Sequence, residues 1–250
     1  DIDILETSEM TKEKQDLSLT NRDFKDKRFD GRGYTNIRKK ANLHKLDFSG
    51  SDFSNNPDIR TYLSNLDFMR ANLTDTNFSG HIPKEDGRAA IDRVIFKKAN
   101  LTRSDFTDNY MSFIDFTEAN LTDANFSNTK FRKSDLNTKF KQINAPKINF
   151  SNSVLEGKYT ENHNTNKKTI REELDFSRSY LTEANFTGAT LIGVDFSNTN
   201  LTEADFTGAK FEKPNFKKAN LTGANFMGAF LYDTNFTGAT LTGTDFMESR

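Results

Sequence analysis

The chain is 250 residues long, with 35 Lys and Arg against 36 Asp and Glu and a formal net charge of -1. It contains no cysteine, which excludes disulfides, a thiolate nucleophile and thiolate metal ligands. No apolar run approaches the length of a membrane span and no secretory signal is visible; the chain begins at Asp1 rather than Met, so a processed product or an excised fragment stays open.

Residues 1–18 are charged, with Ile4, Leu5, Met10 and Leu17 scattered among them, and are expected to form an N-terminal cap or tail. From residue 19 a large apolar residue recurs at every fifth position, and 19–250 reads as one elongated repeat domain. Leu19, Phe24, Phe29 and Tyr34 form a degenerate first run. Leu43, Phe48, Phe53, Leu63, Phe68, Leu73 and Phe78 form a second, with Asp58 where a large apolar residue is expected. Residues 79–88 hold Pro83 and two glycines and read as an exposed loop, after which Ala89-Ala90-Ile91 resumes the pattern. Phe96, Leu101, Phe106, Met111, Phe116, Leu121, Phe126, Phe131 and Leu136 form a third run. Residues 137–149, with Pro146 and several lysines, read as a second break; Phe150 and Leu155 are a short shifted piece. The almost wholly polar residues 156–173 form the longest break. The final tract has no miss: Phe176, Leu181, Phe186, Leu191, Phe196, Leu201, Phe206, Phe211, Phe216, Leu221, Phe226, Leu231, Phe236, Leu241, Phe246.

A step of five suits neither common element. On an α-helix such residues would spiral around the whole surface, and on a flat strand an odd step would put them on alternating faces. One core collects them all only if the chain bends once per repeat, so each pentapeptide is one short side of a coil. Two residues before the large one comes a small one, as at Ala184, Ala204, Ala219 and Ala224, and a spacing of two puts both on one face of an extended segment. Asn or Asp between them, and Thr or Ser just after, suit turns. Gly two places after the large residue, as at Gly188, Gly208 and Gly223, fits a corner that needs a permissive backbone. Leu and Phe alternate almost strictly, so if like stacks on like each coil has an even number of sides. Two sides enclose nothing, and four, at about twenty residues per coil, is the simplest answer. Phe186, Phe206, Phe226 and Phe246 then stack in one column, and Phe196, Phe216 and Phe236 in the opposite one, with Leu181, Leu201, Leu221 and Leu241 between them.

The runs Ala219-Asn220-Leu221-Thr222-Gly223 and Ala184-Asn185-Phe186-Thr187-Gly188 resemble the pentapeptide-repeat proteins, whose motif is A-(D/N)-(L/F)-(S/T)-x. The resemblance covers most of 19–250 and is strongest over 96–136 and 176–246. It implies an all-β fold, a right-handed quadrilateral β-helix; the handedness comes from the resemblance and not from the spacing.

Little in the chain suggests chemistry. His44, His81 and His163 are widely separated, show no metal-ligand spacing and are expected on the surface. Most acids sit in the outward slot with no cleft to shift their pKa values. Gly31-Arg32-Gly33 is a lone fragment and not a phosphate loop. No catalytic residue, cofactor or metal is assigned. The many Asn-x-Thr triplets, such as Asn72-Leu73-Thr74, are generated by the repeat and do not argue for glycosylation.

Charge is more informative. Nine basic residues lie between Arg22 and Lys45 against three acids, and the phrase Lys-Lys-Ala-Asn-Leu occurs at 39–43, 97–101 and 217–221. Basic outward residues suit an acidic or phosphorylated partner, and breaks on a rigid scaffold are favoured recognition sites. The candidate partner-binding residues are therefore Arg38, Lys39, Lys40, Lys97, Lys98, Lys217 and Lys218, with His81, Lys84, Lys167 and Lys168 from the breaks.

These observations favour a non-catalytic protein–protein interaction scaffold, cytoplasmic or secreted, with the β-helical module of a bacterial effector or larger protein included in that class. The alternative implied by the resemblance is a DNA mimic that binds gyrase or topoisomerase IV and protects it from quinolones, but a duplex mimic should be acidic along its length. An enzyme needs a concave site with convergent groups, and the pattern offers none. The repeat runs to Phe246 without a capping segment, so the C-terminal edge is expected to be covered by a second copy, as an end-to-end homodimer through the C-terminal coil, or by a missing downstream segment. Neither direct nucleic-acid binding nor membrane insertion is expected.

Overall fold

The computed structural model describes residues 41–54, 63–81, 91–131, 138–162 and 167–250, and every regular element among them is a strand. The expected cap at 1–18, the first apolar run, Asp58 and most of the first break lie outside the described residues.

Each pentapeptide forms one side of a coil and one corner. Around Leu201 the chain is extended, and its N–H donates to the Asn220 carbonyl of the next coil at 2.7 Å. The N–H of Ala204 then donates back to the Leu201 carbonyl at 3.1 Å, and Glu203 between them has φ 58°. This is the geometry of a type II turn, with a left-handed residue in third place. The same left-handed conformation recurs two residues after nearly every inward residue, for example at Arg70, Lys98, Glu118, Arg178 and Lys218. The permissive corner expected from glycine is therefore real, but most corners hold an ordinary side chain there at a local steric cost.

Four pentapeptides close a coil. One side forms an eight-stranded parallel sheet running from Leu63–Ser64 to Phe230–Tyr232. Its register pairs Leu191 with Phe211 and Phe211 with Leu231, twenty residues apart. The other sides are built mainly from single parallel bridges, such as Asn200 with Asn220 and Asp205 with Asn225, with short paired strands at Ala41–Asn42/Leu66–Asp67 and Leu174–Asp175/Val194–Asp195. The result is a quadrilateral β-helix of the expected class.

The interior holds four columns. The first contains Phe68, Phe96, Phe116, Phe140, Phe176, Phe196, Phe216 and Phe236; the third contains Phe53, Phe78, Phe106, Phe126, Phe150, Phe186, Phe206, Phe226 and Phe246. Within the third column Phe206 stacks on Phe186 at 5.0 Å and on Phe226 at 4.7 Å. Across the coil it meets Phe216 edge-on at 5.9 Å. The second column is mostly leucine, including Leu181, Leu201 and Leu221, and the fourth runs from Leu63 through Met111 and Leu191 to Leu231. Each fully buried Phe contributes about 1.5–3 kcal/mol from burial and each well-placed ring pair about 0.5–1.5 kcal/mol more, before chain entropy is charged against them.

Polar residues close what the rings leave open. The outward Asn or Asp accepts the N–H two residues on, as Asn220 Oδ1 does from Thr222 at 3.1 Å. Where the small inward residue is Ser or Thr, its hydroxyl donates to the carbonyl of a large residue one coil earlier. Ser104 reaches Leu73 at 2.8 Å and Thr129 reaches Phe106 at 2.7 Å. Buried hydroxyls thus satisfy backbone acceptors rather than stay orphaned.

The structure corrects two expectations and gives a third, the 156–173 break, its form. Residues 138–149 do not leave the coil: Phe140 stacks on Phe116 at 4.9 Å and on Phe176 at 4.5 Å. The repeat is hidden there because Ala145 takes the large position while Ile143 and Ile148 take the small ones, so volume is exchanged and not lost. The 156–173 break is an ordered antiparallel hairpin, Lys158–Asn162 against Lys167–Glu172, and the coil resumes at Leu174. Leu241, expected in the core, is 40% exposed and Phe236 and Phe246 are only partly buried, because no coil among the described residues lies over theirs.

The hairpin is seated at its base by two glycines. A Cβ on Gly157 would lie 2.5 Å from the Gly193 carbonyl oxygen and 2.6 Å from that of Glu172. A Cβ on Gly193 would lie 2.7 Å from Ile170 Cδ1.

Candidate interaction surface

The fold brings distant lysines onto one edge. The two positions after each first-column residue form a single corner, and Lys97-Lys98 and Lys217-Lys218 both lie on it, after Phe96 and Phe216. Five coil steps separate the pairs, about 24 Å at strand spacing. Between them the same corner holds Glu118, Lys141, Arg178 and Asn198, and before them Lys45 and Arg70, so the edge is mainly but not wholly cationic. Its four basic residues here, Lys45, Arg70, Lys141 and Arg178, were not among the sequence candidates. Their signal was present as a basic residue one or two places after most first-column residues, with exceptions at Thr117-Glu118, Ser197-Asn198 and Thr237-Gly238, and the insertions between coils disguise the interval.

Lys45, Arg70, Lys98, Arg178, Lys217 and Lys218 are exposed. Lys98 Nζ lies 3.1 Å from Glu118, and Lys141 Nζ lies 3.4 Å from Asp175. Both are surface pairs, worth about 0–1 kcal/mol and readily exchanged for a partner's carboxylates.

The remaining candidates are not gathered there. Arg38, Lys39, Lys40 and Lys84 lie outside the described residues. Lys167 and Lys168 lie on the hairpin, in register with Asn162 and Glu161. His81 is corrected: it is fully buried, not a surface residue. Its Nε2 lies 2.8 Å from the Phe53 carbonyl oxygen, and its backbone N–H donates to Asn109 Oδ1 at 2.8 Å. It occupies the small inward slot later filled by Asn109, Thr129 and Ser153, and binds the preceding coil's carbonyl as they do. A partner cannot reach it.

The side next to the cationic corner is a polar ladder. Asn120 Nδ2 donates to Asn100 Oδ1 at 3.3 Å, and Asn144 Nδ2 to Asn120 Oδ1 at 3.2 Å. Tyr180 then interrupts it, 63% exposed, before Asn200 and Asn220 restore it. The opposite border of this side holds Arg103 bonded to Asp75 through two contacts of 2.6 and 2.7 Å. That hydrogen bond keeps the Asp75 carboxyl below its ordinary range. Elsewhere Glu173 is pushed up, first by desolvation and then by the charges of Asp195 and Asp175. Among the described residues no group of His, Asp and Glu could hold a metal ion, and no helix is long and apolar enough to cross a membrane.

A four-sided β-helix with a filled interior and a patterned exterior defines a β-solenoid repeat protein. The family model for pentapeptide repeats matches in eight copies, and residues 99–137, 179–213 and 215–250 carry those repeats. No curated protein matches it. Among solved structures it is similar to HetL, a pentapeptide repeat protein involved in heterocyst differentiation regulation from the cyanobacterium Nostoc sp. strain PCC 7120. The identity is 20% over 92% of this chain and 89% of that one, with a TM-score of 0.42. It is also similar to QnrB1, a plasmid-mediated fluoroquinolone resistance protein, at 16% identity over 88% of this chain and 89% of that one, with a TM-score of 0.28. A pentapeptide repeat protein from the Arabidopsis thaliana thylakoid lumen is 37% identical over 41% of this chain and 63% of that one, with a TM-score of 0.18.

Proposed function

We propose that the protein is a non-catalytic protein–protein interaction scaffold, by itself or as the β-helical module of a bacterial effector or larger protein. The observation that supports this reading is the cationic corner, where Lys45, Arg70, Lys98, Arg178 and Lys218 project from left-handed positions of a rigid stack. A predominantly cationic row on a fixed scaffold, broken by Glu118 and Asn198, steers and orients a complementary surface. The same row weighs against duplex mimicry, which needs anions along the length. A supercoiling and drug-protection assay with purified gyrase that shows no effect removes the mimic reading.

The test compares baits. The full chain, a variant with Lys97, Lys98, Lys217 and Lys218 changed to Glu, and a variant with Asp123 and Glu203 changed to Lys are used to capture partners quantitatively. Proteins retained by the wild type and the second variant but lost with the first support the reading. A captured set that all three share overturns it. An end-to-end homodimer through the last coil, where Leu241 is 40% exposed, belongs to the same proposal; a monomeric mass at every concentration in sedimentation removes that part.

A further inference from the structure

Tyr180 is an outward residue that the stack chemistry does not explain. Its slot, just before the second-column Leu181, holds Asn at 100, 120, 144, 200 and 220. An Asn there caps its own corner through Oδ1 and donates from Nδ2 to the coil before, as Asn120 does. A phenol does neither on the pattern of the carboxamide, and the ring stands 63% exposed. An exposed aromatic residue at a site whose structural duty is better met by Asn indicates a use outside the fold, and tyrosine is among the residues that dominate binding energy at interfaces.

Its surroundings give the chemistry of the partner. Arg178 is two residues away on the cationic corner, Lys141 is one coil back on that corner, and Lys217 and Lys218 lie two coils on. Resting on the scaffold reading above, we infer that an extended acidic polypeptide segment lies along this side, with carboxylates on the cationic corner and an apolar or aromatic side chain against the Tyr180 ring.

The dimensions favour a single peptide strand over a nucleic acid duplex. One side is about three extended residues across, ~10 Å. Its far border carries Asp123 and Glu203, beside the Arg103–Asp75 and Lys147–Glu183 pairs. A body that covers both borders therefore meets like charge on one of them if it is a polyanion. An extended strand presents carboxylates on one face at ~6.6–6.8 Å intervals, which arginine and lysine side chains on ~4.8 Å coils can span while the strand keeps to one border. A duplex, with one negative charge per ~1.7 Å, is too wide and too densely charged to do so.

The test uses the full chain and two labelled probes in fluorescence anisotropy: a peptide with one central phenylalanine flanked by runs of glutamate, and a short DNA duplex. The peptide is expected to bind more tightly than the duplex, and salt is expected to weaken it. Tyr180→Asn is expected to weaken it about tenfold while leaving the melting temperature equal or higher, because Asn restores the ladder. Tighter binding of the duplex, no binding of the peptide, or unchanged peptide binding by Tyr180→Asn overturns the inference. A fall in melting temperature with Tyr180→Asn assigns the ring a structural duty and also overturns it. If the peptide is ignored while the bait comparison still recovers corner-dependent partners, the acidic segment is wrong and the scaffold reading stands.

Discussion

The left-handed corner residue sets the local energetics of every coil. A non-glycine residue there crowds its own Cβ, at about 1 kcal/mol or somewhat more. Glu203, at φ 58°, has an exposed side chain. Glu203→Gly is therefore expected to raise stability by about 0.5–1 kcal/mol in denaturant unfolding, the relief of strain outweighing the looser unfolded chain. At Glu173 the effect is electrostatic. Its carboxyl is pushed up by desolvation and by Asp195 and Asp175, so the folded chain holds that proton more readily than the unfolded one. Stability from this group is consequently greatest at low pH and is lost as pH rises through the interval above the ordinary glutamate range. Glu173→Gln should remove that loss, and its gain in melting temperature over the wild type should be larger at about pH 7 than at about pH 3.

At the scale of the element, the columns and the hairpin make separate demands. Phe206 is sandwiched between Phe186 and Phe226, whereas Phe246 stacks on Phe226 alone. Phe206→Ala is expected to cost about 3–5 kcal/mol and Phe246→Ala clearly less, because the second site already faces water on one side. Equal losses in chemical denaturation would contradict the stacked-column account. At the hairpin base the limiting contact is backbone against backbone, which no rotamer change relieves. Gly157→Ala should cost about 1–3 kcal/mol and open residues 158–172 to limited proteolysis while the later coils stay protected.

Most of the winding was legible from the spacing of large residues, and Phe196, Phe216 and Leu221 sit where that spacing puts them. Residues 138–149 were not, because Ala145, Ile143 and Ile148 exchange large and small positions and the period then points to the wrong residues, although Phe150 and Leu155 just after them were read as repeat. The burial of His81 was illegible for a related reason: it fills a slot usually held by a small residue, and only the coil-to-coil hydrogen bond shows why imidazole fits. The cationic corner was half legible. Lys-Lys-Ala-Asn-Leu is visible as a phrase, but Lys141 and Arg178 join it only once the insertions are folded out of the count.

Across the whole molecule each coil touches only its neighbours, so stability is close to a sum of coil and interface contributions. The last described coil stacks on one neighbour and leaves Leu241 40% exposed. Amide hydrogen exchange of the full chain should therefore be slowest in the middle coils and fastest over residues 236–250. Uniform protection to the last coil would mean that something covers that end in solution.

The corner conformation also has a consequence for how such a molecule changes over generations. The same backbone bend accepts lysine at 218, glutamate at 203, asparagine at 198, phenylalanine at 113 and glycine at 208. Because the interior never reads that letter, the exterior can be rewritten one residue at a time, as text on a spool that keeps its thread. New affinities can be tried there at little risk to folding, and a designer could inscribe a chosen pattern of charge along an edge without disturbing a single buried ring.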